Sequence, residues 1–217
     1  MKIVNFSETN SELNRFVAEL RCIDTQNDRL RFRRNLERIG EVMSYELSKD
    51  LEYSPKEINT PLGTSIVNTS DDSLVLATIL RAGVPFHQGF LNYFDKAENA
   101  FVSAYRKYKD KLNFEIFIEY IASPRIDGKV LIITDPMLAT GGSMELAYRA
   151  LLTKGNPRHI HVASIIASQK AIDYVKEHFP DDKTTVWVAA IDPELDEHSY
   201  IVPGLGDAGD LAYGEKE

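Results

Sequence analysis

Two rhythms of apolar and polar positions run along the 217 residues of this chain. Short continuous apolar runs, rich in β-branched residues, occur at 74–80 (LVLATIL), 130–133 (VLII), 160–167 and 184–191. Runs of that length with no polar alternation predict strands buried on both faces of a sheet. Shorter strands are expected at 2–6 and 100–104. Between them, spacings of three and four predict helices: Leu13, Phe16, Val17 and Leu20; Leu36, Ile39, Met43 and Leu47 within 28–50; and Met144, Ala147, Tyr148 and Leu151 up to Gly155. Two more are expected, one opening at Pro85 and one over 169–179 ended by Pro180. Thr9 and Glu12 have the spacing of a capping box, and Thr25 and Asp28 repeat it more weakly.

Strands that alternate with helices predict an α/β fold: a single domain over 1–217 with a largely parallel central sheet and helices on both faces. Two stretches depart from that rhythm. Residues 107–124 read as an extended β-arm, with 114–121 rich in aromatic and β-branched residues. Residues 192–214 form a long irregular tail, and 55–70 reads as turns with an edge strand at Ile66 and Val67.

Charge narrows the function. A net charge of −8 excludes a nucleic-acid binder that relies on a broad basic surface, although a small anion needs only a few local cations. The arginines at 29, 31, 33 and 34 are interrupted by Glu37, Glu41 and Glu46, so they read as a solvated or subunit-contacting face. Cys22 is the sole cysteine, which excludes an internal disulfide and predicts a buried, inert thiol. With no signal peptide and no membrane-length apolar run, a cytoplasmic soluble protein is expected.

Candidate chemistry gathers where predicted strands end, which is where parallel α/β sheets bind ligands. Asp135 follows the 130–133 strand, and the small-residue loop 136–143 then leads into a helix. The first amides of a helix lack partners and favour anions. Thr140 and Ser143 add hydroxyl donors. An acid beside such a loop would repel a bare phosphate, so Asp135 suggests an acceptor for ribose hydroxyls and hence a sugar phosphate. Arg81, Arg106 and Asp192 also follow predicted strands, and an arginine fork suits a diphosphate. The loop lacks a P-loop lysine. The GxGxxG string at 204–209 lies too near the C-terminus for a dinucleotide fold. The five histidines show no metal-ligand spacing: His159 and His161 read as exposed at a strand start, and His198 lies near enough to the tail to approach a ligand.

At these residues the chain resembles a known family. The stretch 135–143 (DPMLATGGS) is similar to the diphosphoribosyl-binding loop of type I phosphoribosyltransferases, in the form of the uracil-specific members. The stretches 79–83 (ILRAG), Tyr105-Arg106 and 200–210 (YIVPGLGDAGD) resemble three further signatures of that family, in the same order, and the likeness covers nearly the whole chain. Pro136 stands where many type I loops have a second acid. The segment 84–89 and the arm also depart from the pattern.

The resemblance implies the type I phosphoribosyltransferase fold and transfer of ribose 5-phosphate from 5-phospho-α-D-ribose 1-diphosphate (PRPP) to N1 of uracil. Asp135, Pro136, Met137, Leu138, Ala139, Thr140, Gly141, Gly142 and Ser143 would hold PRPP, with Arg81 and Arg106 on its diphosphate. Ile201, Gly206, Asp207 and Ala208 would read uracil. Mg²⁺ would be held mainly through PRPP, with Asp207 serving PRPP or the ion as well. A homodimer or higher homo-oligomer is implied, with no nucleic acid and no membrane partner. The competing readings are a purine or orotate enzyme, a nucleotide-sensing RNA regulator and a non-catalytic relative.

Overall fold

The computed structural model describes residues 1–108 and 114–216, and the side chains of 104–117 fall outside that description. In chain order, β1 (Lys2–Asn5), α1 (Leu13–Arg21) and α2 (Arg29–Ser48) precede β2 (Tyr53–Thr60) and β3 (Gly63–Ser70). Then come β4 (Leu74–Leu80), α3 (Gly83–Leu91), β5 (Glu98–Tyr108), β6 (Phe114–Ala122), β7 (Val130–Thr134) and β8 (Met137–Leu138). The chain continues through α4 (Gly142–Leu152), β9 (His159–Ser168), α5 (Gln169–His178) and β10 (Thr184–Asp192), ending in β11 (Glu194–Leu195), β12 (Ile201–Val202) and α6 (Ala208–Tyr213).

The main sheet runs β1-β10-β9-β7-β4-β5-β6, with β8 added beside β9. Its pairings are parallel except for β5 with β6. The all-apolar runs explain the centre of this sheet. Every residue of β7 is buried. Val130 and Ile132 point to a core with Leu36, Ile39, Phe86 and Phe90, while Leu131 and Ile133 point to the opposite core with Ala147, Leu151, Ile172 and Val175. A period-two strand buried on both faces needs helices on both sides, which α1 to α3 and α4 to α5 supply.

A side chain caps the start of α2, α5 and α6. The Asp28 carboxylate accepts the Arg31 amide at the head of α2, and the Ser168 hydroxyl accepts the Ala171 amide at the head of α5. The Thr9 and Glu12 capping box does not form. Thr9 instead closes a 3₁₀ turn over Phe6–Glu8, anchored where Phe6 stacks on Trp187, and Glu12 pairs with Arg15.

Four other expectations are corrected. Residues 55–70 are not turns with one edge strand: β2 and β3 pair in register from Tyr53 with Ser70 to Thr60 with Gly63 as a long antiparallel hairpin. The tail is not irregular throughout, since β11 pairs with β12 and α6 follows. Cys22 is exposed, because it lies just past the end of α1 where the chain turns outward. His161 is buried, because its side chain meets Trp187 on the neighbouring β10. Within 107–124, β6 pairs antiparallel with β5 as the edge of the main sheet, and residues 109–113 lie outside the described residues.

Candidate active site

At the carboxyl end of β7 the Asp135 amide still bonds the Ala163 carbonyl of β9, so the acid leaves the sheet at a fixed point. Its carboxylate accepts the Met137 amide, and β8 then lies parallel to β9. The Ala139 carbonyl is held by the Ser168 hydroxyl at 2.5 Å. Gly141 has a left-handed φ of 86° at the head of α4, and its Cα faces the Tyr174 ring so closely that a Cβ would lie 2.6 Å from it. The first main-chain bond of α4 runs from the Glu145 amide to the Gly141 carbonyl, so the Ser143 and Met144 amides precede the helical ladder. A small hollow lined by Asp135, Thr140, Gly141 and Ser143 sits above them. The geometry is a strand, an acid and a helix N-terminus presented to an anion.

The tail lies at the same rim. Ile201, Leu205 and Ala208 are buried in the core that also takes Met137 and Ala139 of the loop. Gly206 is exposed with a φ of 93°, and Asp207 caps α6 by accepting the Asp210 amide. Arg81 follows β4 and reaches across to this tail, donating to the Asp210 carboxylate at 2.6 Å and the Gly214 carbonyl at 3.2 Å. The Leu80–Arg81 and Val202–Pro203 peptide bonds are cis. Arg106 lies on β5 in register with Ile116, and its side chain lies outside the described residues. Of the sequence-derived residues, the structure brings Arg81, Asp135, the 136–143 loop and the 201–208 tail to one rim.

Several residues that position the tail escaped the sequence reading. The Arg21 fork pairs with both oxygens of Asp192 at 2.7 Å each, and the same Asp192 accepts the Gly204 amide at 2.9 Å. Arg21 also donates to the Gly204 carbonyl, and Gln26 to that of Leu205. Asp192 was visible as an acid after a strand. Its task is structural: it fixes the turn at Gly204, where φ is 54° and a Cβ would meet the Ile201 carbonyl at 2.1 Å. Arg33 donates to the Ala212 carbonyl and lies over the Tyr213 ring, so part of the α2 arginine face holds the tail. His198 is exposed, with its Nε2 3.5 Å from the Glu197 carboxylate.

A hollow of about 420 Å³ opens at the opposite rim, beside Leu74, Glu98 and Lys129 where strands begin. Lys129 is paired there with Glu98 and Asp72 with Arg158, while Asp95 and Lys96 also line it, but the hollow lies at the strands' amino ends, away from the carboxyl ends where parallel sheets bind ligands. The rim at the strands' carboxyl ends is the candidate site.

Fold and rim together give a parallel sheet, an acid and small-residue loop before a helix, and a tail that closes on the same rim. A family model described as uracil phosphoribosyltransferase matches residues 9–215. A uracil phosphoribosyltransferase of Porphyromonas gingivalis is 68% identical over 216 residues, covering all of both chains. Another, from Methanothermobacter thermautotrophicus, is 41% identical over 84% of this chain and 83% of its own. The solved structure of the AQ2163 protein from Aquifex aeolicus superposes with a TM-score of 0.88 at 31% identity, covering 98% of each chain. This chain belongs to the uracil phosphoribosyltransferase family.

Proposed function

We propose that the protein transfers the 5-phosphoribosyl group of PRPP to N1 of uracil, giving UMP and diphosphate. The observation that carries this reading is the meeting of the phosphate loop and the 201–208 tail at one rim, with Arg81 reaching from the end of β4 to the tail at Asp210. The loop from Ala139 to Ser143 holds the 5-phosphate through the helix N-terminus, and Asp135 accepts the ribose hydroxyls. Arg81 and Arg106 balance the diphosphate charge that grows as the C1–O bond breaks. The N1–C1 bond forms as diphosphate leaves, with the N1 proton lost. Uracil, with an acceptor at O4 and a donor at N3, is read by the main chain around Ile201, Gly206, Asp207 and Ala208. Cytosine inverts both groups and leaves buried polar atoms unpaired.

Mg²⁺ fits this site as an ion carried by its substrate. Among the described residues no group of three metal-ligating side chains occurs, and isolated carboxylates suit an ion held largely by phosphate oxygens. Asp207 would be its protein contact, and the ion would neutralise charge on the departing diphosphate.

Exposed Ile58, Leu62, Ile66 and Val67 on the β2–β3 hairpin support a homodimer or larger assembly, since a hairpin alone is marginal in water. No helix among the described residues is long and apolar enough to cross a membrane, and an exposed unpaired Cys22 suits the reducing cytoplasm.

The roles are tested by UMP formation from labelled uracil. Arg106→Ala and Asp207→Ala, each verified as folded, are expected to lower kcat/KM by about 100-fold or more. Near-normal turnover in either variant removes that residue from the mechanism.

A further inference from the structure

The back of the phosphate loop holds a contradiction that the reaction does not explain. Glu145 lies in the first turn of α4, is 7% exposed, and so keeps a negative charge within one turn of the amides that an incoming phosphate needs. Two groups restrain that carboxylate: the Tyr174 hydroxyl donates to one oxygen and the Arg149 guanidinium pairs with the other, both at 2.5 Å. Burial pushes the Glu145 carboxyl up, but the hydrogen bonds from Tyr174 and Arg149 outweigh it and hold it below its ordinary range, so it is ionised at neutral pH. The Tyr174 ring is the same one that lies against Gly141. It is itself fixed, stacked on His178 with centroids 3.8 Å apart while the His178 ring nitrogen contacts the Tyr174 carbonyl at 2.8 Å.

We infer that Tyr174 is a positioning residue for PRPP: it supports the loop at Gly141 and draws the Glu145 carboxylate away from the phosphate-binding helix terminus. The inference rests on the reading of 139–143 as the 5-phosphate site. Tyr174→Phe keeps the ring and removes only the hydroxyl. The carboxylate, held by Arg149 alone, is then less restrained and competes with the phosphate for the helix terminus. The expected result is a KM for PRPP raised about 5- to 10-fold, the size of one ordinary net hydrogen bond, with kcat and the KM for uracil within about twofold of the parent.

Glu145→Gln placed on Tyr174→Phe removes the competing charge and is expected to restore the KM for PRPP to within about twofold. A merely structural tyrosine would not be rescued by a change of charge on α4. An unaltered KM in Tyr174→Phe, or a raised KM that Glu145→Gln leaves raised, overturns the inference. Thr140→Ala separates the two levels. If it weakens PRPP binding while Tyr174→Phe does not, the positioning role alone falls; if Thr140→Ala leaves PRPP binding untouched, the phosphate-loop reading falls with it.

Discussion

His161 shows how much a single side chain can be decided by its neighbours. Its Nδ1 accepts the Trp187 indole N–H at 3.0 Å, which requires that nitrogen to be unprotonated. Burial, aided by nearby His159, Lys2 and Arg158, pushes its pKa down to about 3. The unfolded histidine takes up a proton below about pH 6.5 while the folded one does not, so protonation favours unfolding across that interval. Stability from this residue is therefore complete above about pH 6.5 and lost as pH falls toward 3, at up to about 1.4 kcal/mol per unit. Urea unfolding at pH 6 and pH 5 checks this. His161→Asn, which keeps an acceptor for Trp187 but cannot titrate, should show a slope about 1 kcal/mol per unit shallower. Equal slopes would refute the assignment. Glu19, held down to about 2 by hydrogen bonds from Arg31 and Asn35, adds loss in the same direction only below its ordinary 4.5. Sequence spacing placed His161 correctly at a strand start. Its burial depends on Trp187, which lies across the β9–β10 pairing and 26 residues away, so local pattern could not reveal it.

Elements meet through contacts that spacing hints at only in part. The stripe of Leu36, Ile39, Met43 and Leu47 on α2 is buried as the periodicity requires. What it does not reveal is how closely α3 approaches. A Cβ on Gly89 would lie 2.2 Å from the Glu37 carbonyl and 2.8 Å from the Gly40 Cα, so the helices cross backbone to backbone. Gly89→Ala is expected to cost about 3 kcal/mol or more in thermal or urea unfolding, because backbone cannot step aside as a side chain does. A change below about 1 kcal/mol would mean that the crossing is loose. The tail offers a second test. Arg21 keeps 23% side-chain exposure while Asp192 keeps 7%, so Arg21→Ala strands a buried carboxylate. The expected cost is about 2–3 kcal/mol of stability. The KM for uracil should rise while that for PRPP stays near the parent value, because Asp192 fixes Gly204 in the tail proposed to read the base. Equal rises in both would place the Arg21 effect outside the tail.

At the scale of the molecule, the parallel sheet was legible because a strand buried on both faces leaves an unbroken apolar run, as in β4 and β7. The β2–β3 hairpin was not, since Tyr53–Thr60 and Gly63–Ser70 are exposed along nearly their whole length and carry no burial rhythm. The rim was legible in its ends of strands, Arg81 and Asp135, and in the glycines of its loop. The supports behind it, Arg21, Ser168 and Tyr174, lie on other elements and reach the site only through the fold.

One rim is proposed to join a PRPP loop to a tail that reads uracil. The most direct measurement supplies PRPP and Mg²⁺ with an equal mixture of labelled uracil, cytosine, orotate, hypoxanthine and guanine, and counts the nucleotides formed. UMP as the overwhelming product, with cytosine disfavoured by a factor on the order of 10⁴, is the result expected of a tail that pairs with O4 and N3. Comparable conversion of cytosine, or a purine nucleotide as the main product, would contradict it.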